Sequence, residues 1–231
     1  DLDAVLEHLQ AAERPLVILG GGNWSKEAAK AIATVAETLD LPVGASFRCQ
    51  DFIDNRHPNY VGDIGIGINP KLAQRVRDAD YIFSIGARLG EITTSTYTLM
   101  QSPVPSQKLV HVHADANELG RVYHPTCAVT ADAGQFIEQI AQRLTALPKA
   151  KPRDWTSDAR QDYETWQKPA ETPGNLKMEN VISHLNEVLA DDAILTNGAG
   201  NYSAWLHRYY RYRSYRTQLA PTSGSMGYGL P

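Results

Sequence analysis

Cysteine is scarce in this chain of 231 residues: Cys49 and Cys127 stand alone. Two thiols cannot build a disulfide framework or a cysteine-based structural zinc site, and each reads as a small core residue. Long apolar runs are missing as well. None approaches the roughly 18 residues that a membrane-spanning helix needs, and no basic-then-apolar leader opens the chain. The expectation is a soluble, cytoplasmic protein with no membrane partner. Positive charge is not in excess either: a formal charge of −4 argues against a chain made to neutralise phosphate backbones, so no nucleic-acid partner is expected. A G-x-S-x-G elbow is lacking, because Ser223-Gly224-Ser225-Met226-Gly227 places serine elsewhere, which removes that hydrolase signature. What remains is ordinary globular material. Hydrophobic residues make up 42% and charged residues 21%, with no internal repeat or low-complexity tract, which excludes disorder and fibres.

Residues 14–145 alternate short apolar runs with amphipathic stretches. Segments 15–19, 42–46, 81–85, 109–113 and 127–130 read as strands. Leu2, Val5, Leu6 and Leu9 share one helical face, and Ala28, Ile32, Val35, Ala36 and Leu39 another. Asn69-Pro70 opens a helix carrying Leu72, Ala73 and Val76; Asp132 with Gln135 makes a capping box ahead of Phe136, Ile137, Ile140 and Leu144. Strands spaced by helices predict an α/β domain with a doubly wound, Rossmann-like parallel sheet over residues 1–146. Pro148, Pro152, Pro169 and Pro173 among charged residues predict a semi-stiff surface linker over 147–177, with one helical piece around 154–166. An incomplete second α/β unit fills 178–231. Val181, Ile182, Leu185, Val188 and Leu189 give it a helical stripe, 193–196 a strand, and 217–223 a further strand ending at Gly224. The chain starts inside a helical pattern and stops at Gly229-Leu230-Pro231, where a proline would open a helix; it reads as an excised part of a longer polypeptide.

Several candidate chemistries have plainer explanations. Gly20-Gly21-Gly22 lies between a strand and a helix, where backbone amides meet phosphates, but the G-x-G-x-x-G spacing is missing and a tight turn accounts for it. His111 and His113 share one strand face, as metal ligands do, yet no third ligand falls at a telling spacing and no metal site is assigned. The tract 208–216 interleaves arginine with tyrosine, a pattern of single-strand nucleic-acid binders. In an acidic chain it reads better as a solvated or subunit-contacting face.

Two glycine-bearing loops remain, each after an expected strand. The first is Asn197-Gly198-Ala199-Gly200-Asn201-Tyr202, followed by Trp205; the second is Ser223-Gly224-Ser225-Met226-Gly227-Tyr228-Gly229-Leu230-Pro231. In this order they resemble the diphosphate-binding domain of thiamine-diphosphate enzymes, the acetolactate synthase-like group in particular. The first domain carries matching stretches in family order: Arg14-Pro15 to Gly22, His57-Pro58-Asn59-Tyr60-Val61-Gly62-Asp63-Ile64-Gly65, Gly86-Ala87-Arg88-Leu89, and His111 to Gly120.

The resemblance implies a central domain followed by the first part of a diphosphate-binding domain, with thiamine diphosphate and Mg²⁺ as cofactors. Met226 matches the apolar wedge that bends the cofactor, and a flexible, polarizable side chain suits that place. Gly224 matches the position whose carbonyl orients the aminopyrimidine. These two are the catalytic candidates. Gly198, Gly200, Asn201 and Tyr202 match the loop beside the diphosphate, and Ser223 and Ser225 flank Gly224 in the second loop; Asn201-Tyr202 stands where many synthases have Gln-His. The acid/base glutamate and the Mg²⁺ ligands are implied to lie outside this chain, so the stretch alone is expected to be inactive. The implied reaction decarboxylates a 2-oxo acid such as pyruvate and hands the resulting enamine to a carbonyl acceptor, the cofactor serving as electron sink. FAD binding is in doubt, because Arg88-Leu89-Gly90-Glu91-Ile92-Thr93-Thr94 lacks the phenylalanine and second arginine of the flavin-carrying synthases. A homodimer or homotetramer is implied. A nonoxidative 2-oxo acid decarboxylase or lyase of the same fold stays open, as does a noncatalytic nucleotide-binding module using Gly20 to Gly22.

Overall fold

A computed structural model describes residues 2–145 and 149–228. The closing Gly229-Leu230-Pro231 and Leu147 and Pro148 of the expected linker lie outside the described residues. The first unit runs α1 (Leu2–Ala11), β1 (Pro15–Leu19), α2 (Lys26–Leu39), β2 (Val43–Ser46), β3 (Tyr60–Ile64), α3 (Pro70–Asp78), β4 (Tyr81–Ile85), β5 (Lys108–His113), β6 (Cys127–Thr130) and α4 (Ala133–Leu144). All neighbouring strands are parallel, in the order β3-β2-β1-β4-β5-β6 of a six-stranded sheet. This is the expected Rossmann-like α/β architecture, and its strand order reverses between β1 and β4.

Every residue of β1 is buried, which is why its sequence is an unbroken apolar run. Its side chains divide between two cores. Val17 and Leu19 pack with α1, α2 and α4; Leu16 and Ile18 pack with α3 and with Ala159 further along. Capping is local and legible. Ser25 accepts from the Ala28 amide at 2.8 Å, Asn69 from Lys71 at 3.0 Å, and Asp132 from Gln135 at 3.0 Å.

β3 is absent from the sequence expectation. Gly62 and Asp63 interrupt its apolar pattern, Gly62 sits at φ +119, and the register slips at Val43/Gly44. Tertiary pairing with β2 overrides poor local propensity.

The stretch read as a linker carries α5 (Asp154–Trp166), which buries Thr156, Ala159 and Tyr163. Arg160 Nη1 donates to the carbonyls of Asn55, His57 and Tyr60 at 3.0, 2.8 and 3.0 Å, and Asp162 pairs with Arg75 at 2.8 Å. This helix is docked on the sheet's β3 edge. The second unit holds α6 (Met178–Val188), β7 (Leu195–Thr196), α7 (Ser203–Tyr209) and β8 (Gln218–Leu219), around a small core of Ile182, Leu195, Tyr209, Tyr210 and Tyr212. The strand expected over 217–223 is only two residues long, since Pro221 and the Gly224 amide close a turn directly after it. The arginine–tyrosine tract, expected as a solvated or subunit-contacting face, is not a solvated one. Tyr212 is fully buried, and the Arg208 guanidinium stacks 3.6 Å from the Trp166 ring.

Candidate cofactor site

The first glycine loop leaves β7 at Asn197, whose side chain is buried and donates to the Gly198 carbonyl at 2.8 Å. The Gly198 amide donates to the Tyr202 hydroxyl at 2.9 Å, so the tyrosine ring folds over the loop. Gly200 is required under that ring: a Cβ there would lie 2.5 Å from Tyr202 Cε1. Asn201 is exposed, and Tyr202 is half exposed at the entrance to α7. Trp205, the tryptophan of the motif, anchors the unit, its Nε1 donating to Glu179 Oε2 on α6 at 3.2 Å.

The second loop turns on Pro221, whose carbonyl accepts from the Gly224 amide at 3.3 Å. Gly224 has φ +76, a left-handed value that favours glycine. Ser223 and Ser225 face each other with hydroxyls 2.9 Å apart. Met226 is not a strand-end core residue: it is 90% exposed, and Tyr228 is half exposed beside it. The two loops adjoin, a Cβ on Gly198 falling 3.9 Å from the Gly227 amide nitrogen. The structure therefore brings the sequence-chosen residues of both loops to one surface.

Both loops rest on a seam with the first unit that carries no local sequence signal. Arg48, at the end of β2 with φ +61, donates through Nη1 to the Pro221 carbonyl, and through Nη2 to the Gly198 carbonyl at 3.1 Å. Phe47 meets His207 edge-on at 5.4 Å, and Arg48 lies 4.6 Å over the Phe47 ring. Behind this cluster, Asp63 Oδ1 and His207 Nε2 are enclosed without hydrogen-bond partners and line one cavity of about 20 Å³. Burial pushes the Asp63 carboxyl up to about 8, against the attraction of Arg48. Burial, helped by the Arg48 charge, pushes His207 down to about 4. No spacing rule points from residue 48 to residue 198; only the fold joins them.

A larger cavity of about 750 Å³ opens at the carboxyl ends of the strands, where the sheet order reverses. Gly21, Gly22, Ser46, Arg88 and Arg121 line it, and Thr222 and Ser223 reach it from the second loop. Glu118 bridges Arg88 and Arg121 at 3.0 and 2.8 Å. His111 Nε2–H donates to the Ala87 carbonyl at 2.9 Å, and burial shifts the ring's pKa downward; the His113 ring accepts the Asp115 amide at 3.0 Å. Among the described residues no three His, Cys, Asp or Glu side chains gather into a metal site, and no helix is long and apolar enough to cross a membrane.

A doubly wound sheet leaves a crevice at the carboxyl ends of its strands, and paired glycine loops on a second α/β unit adjoin it. The chain belongs to the thiamine pyrophosphate enzymes: residues 2–140 match the family model for the thiamine pyrophosphate enzyme central domain. It is 27% identical over 230 residues to the acetolactate synthase isozyme 1 large subunit of Escherichia coli K12, covering 96% of this chain and 39% of that protein. It is 25% identical over 254 residues to the sulfoacetaldehyde acetyltransferase of Castellaniella defragrans, covering 100% of this chain and 42% of that one. The chain thus spans about two fifths of the length of these curated relatives.

Proposed function

We propose that this chain supplies part of the cofactor site of a thiamine-diphosphate-dependent carboligase, which decarboxylates a pyruvate-like 2-oxo acid and transfers the remaining fragment to a carbonyl acceptor. The observation that carries this is an apolar side chain, Met226, exposed two residues past the Gly224 amide that closes on the Pro221 carbonyl, in a loop that adjoins the Gly198 loop through Gly227. A flexible, polarizable thioether suits packing against a coenzyme ring. The family membership and the names of the two relatives, an acetolactate synthase and an acetyltransferase, support the same reading.

The residues present suit the group. When bound, thiamine diphosphate would supply the electron sink for loss of carbon dioxide. Met226 would pack against it as an apolar wedge. The Gly224 carbonyl would accept a hydrogen bond from it and so orient its amine for proton transfer. Gly200, Asn201, Ser223 and Ser225 present exposed polar and backbone groups toward the diphosphate side. Mg²⁺ is held by oxygen ligands outside this stretch. In the same reading the full chain is a cytoplasmic homodimer or homotetramer, and residues 1–231 alone are inactive.

The test uses the full-length protein with thiamine diphosphate, Mg²⁺ and pyruvate, following carbon dioxide and identifying the product. An acetolactate-type product supports the carboligase, and acetaldehyde would instead favour a nonoxidative decarboxylase. Absence of turnover, with nucleotide bound in the 750 Å³ cavity, would favour the noncatalytic module, which that cavity's place at the sheet reversal makes the second reading. The absorption spectrum of the same preparation decides whether the cavity holds flavin.

A further inference from the structure

Both candidate cofactor loops depend on one side chain from the other unit. Arg48 Nη2 donates to the Gly198 carbonyl, which also takes the Asn197 side chain, and the Gly198 amide in turn bonds the Tyr202 hydroxyl. Arg48 Nη1 donates to the Pro221 carbonyl, the same oxygen that accepts the Gly224 amide. A third contact reaches Ser203 Oγ at 3.5 Å. One rigid, planar fork therefore touches the oxygen that sets the first loop and the oxygen that sets the turn before Met226. Arg48 is buried, its backbone is left-handed at φ +61, and it is stacked on Phe47. An arginine in that region is uncommon, and a tertiary constraint is needed to hold it there.

We propose that Arg48 is a positioning residue of the thiamine diphosphate site, fixing the separation of the two loops by giving one guanidinium nitrogen to each. The proposal rests on the functional reading above for the identity of the coenzyme, though not for the clamp itself. Because Arg48 touches the loops and not the bound group, its loss acts on coenzyme affinity before it acts on turnover. A lysine keeps the charge near Asp63, but its single ammonium does not reproduce the fork.

The experiment compares wild type, Arg48→Met and Arg48→Lys in the full-length chain. Thiamine diphosphate binding is measured by titration, kcat at saturating coenzyme, and hydrogen exchange in the coenzyme-free protein. Losing charge-assisted hydrogen bonds predicts coenzyme affinity weaker by about tenfold or more in Arg48→Met, with kcat within about threefold and Arg48→Lys in between. Exchange should quicken together in 197–203 and 221–228, and stay unchanged in 81–85 and 108–113. If Arg48→Met does not fold, the same comparison is made on Arg48→Lys alone. Affinity within roughly twofold of wild type and unaltered loop exchange would overturn the proposal while the functional reading stands. Failure of the wild-type chain to bind thiamine diphosphate would overturn the functional reading, and with it the coenzyme role given to Arg48.

Discussion

Gln50 and Gln218 bind each other twice across 168 positions of sequence: the Gln50 amide donates to Gln218 Oε1 at 2.8 Å, and Gln218 Nε2 donates to Gln50 Oε1 at 3.0 Å. Both are buried, and Gln50 Nε2 also donates to the His207 carbonyl at 2.8 Å. Beside them Asp51 Oδ2 accepts the amides of Thr217 and Gln218 at 3.0 and 3.1 Å. A polar seam, rather than an apolar one, sets β8 against the first unit.

The Gln50 and Gln218 side chains should be energetically coupled. Gln50→Leu strands the Gln218 amide group and the His207 carbonyl, and destabilisation of about 1–3 kcal/mol is expected. Gln218→Leu should cost a similar amount. The double variant Gln50→Leu/Gln218→Leu should fall short of the sum by the one side-chain bond the two share, while the Gln50 main-chain N–H and the His207 carbonyl stay without their partners. Denaturant unfolding of the four proteins measures the coupling, and strict additivity would show that the seam does not act as a unit.

The apolar framework of this seam's first half was legible in the sequence, whereas its polar part was not. β1, α2 and α4 show their periods because each buries one continuous face, and Ser25, Asn69 and Asp132 show their caps because capping is a local bond. The two cofactor loops were legible through glycine spacing. β3 was not, since Gly62 and Asp63 sit in it for reasons that only β2 and Arg48 reveal. Arg48, Gln50 and His207 carry no local signal at all. Each is a polar residue whose partner lies more than a hundred positions away.

The titrations of the seam predict an unusual pH slope. Asp63, raised to about 8, makes the native state bind protons more tightly than the unfolded chain, so its contribution is lost as pH rises through that value. Asp51, raised to about 6 by burial against its backbone donors, acts in the same sense over a narrower window. His207, lowered to about 4, acts oppositely, adding stability as pH rises from 4 to its ordinary 6.5. Between 6.5 and 8, only Asp63 among these three still titrates, and stability should decline. The melting temperature should drop by a few degrees across that interval in the wild type, and stay nearly level in Asp63→Asn. An equal decline in both proteins would remove Asp63 as the cause.

The turns at the carboxyl ends of β1 and β4 touch backbone to backbone. A Cβ on Gly86 would fall 2.4 Å from the Gly20 carbonyl oxygen and 2.9 Å from Ala133 Cβ, at φ +74. Gly86→Ala should therefore destabilise by about 2–4 kcal/mol through left-handed strain and overpacking. Gly22 is the contrast within the glycine run, since a Cβ there meets nothing within 4 Å and its φ is not positive. Gly22→Ala should change stability by no more than about 0.5 kcal/mol. Denaturant midpoints measure both. Near-equal effects would show that the turn, and not the backbone approach, selects glycine.

Met226 separates a folding role from a coenzyme role most cleanly, because it is 90% exposed and contributes little to any core. Exposed positions away from caps and networks change stability by no more than about 0.5 kcal/mol on substitution, so Met226→Ala should leave the melting temperature of this 231-residue chain unchanged. If the thioether packs against the coenzyme, removing it frees the reacting groups to drift, and a displacement of the order of an ångström costs about 10²-fold in rate. The expected outcome is a large fall in kcat for Met226→Ala, with Met226→Leu keeping most activity because it preserves apolar bulk. Steady-state kinetics of the full-length protein at saturating coenzyme and thermal unfolding of the 231-residue chain measure the two effects. Unchanged kcat in the alanine variant would remove Met226 from the site, and a fall in melting temperature matching the loss of activity would return it to an ordinary structural role.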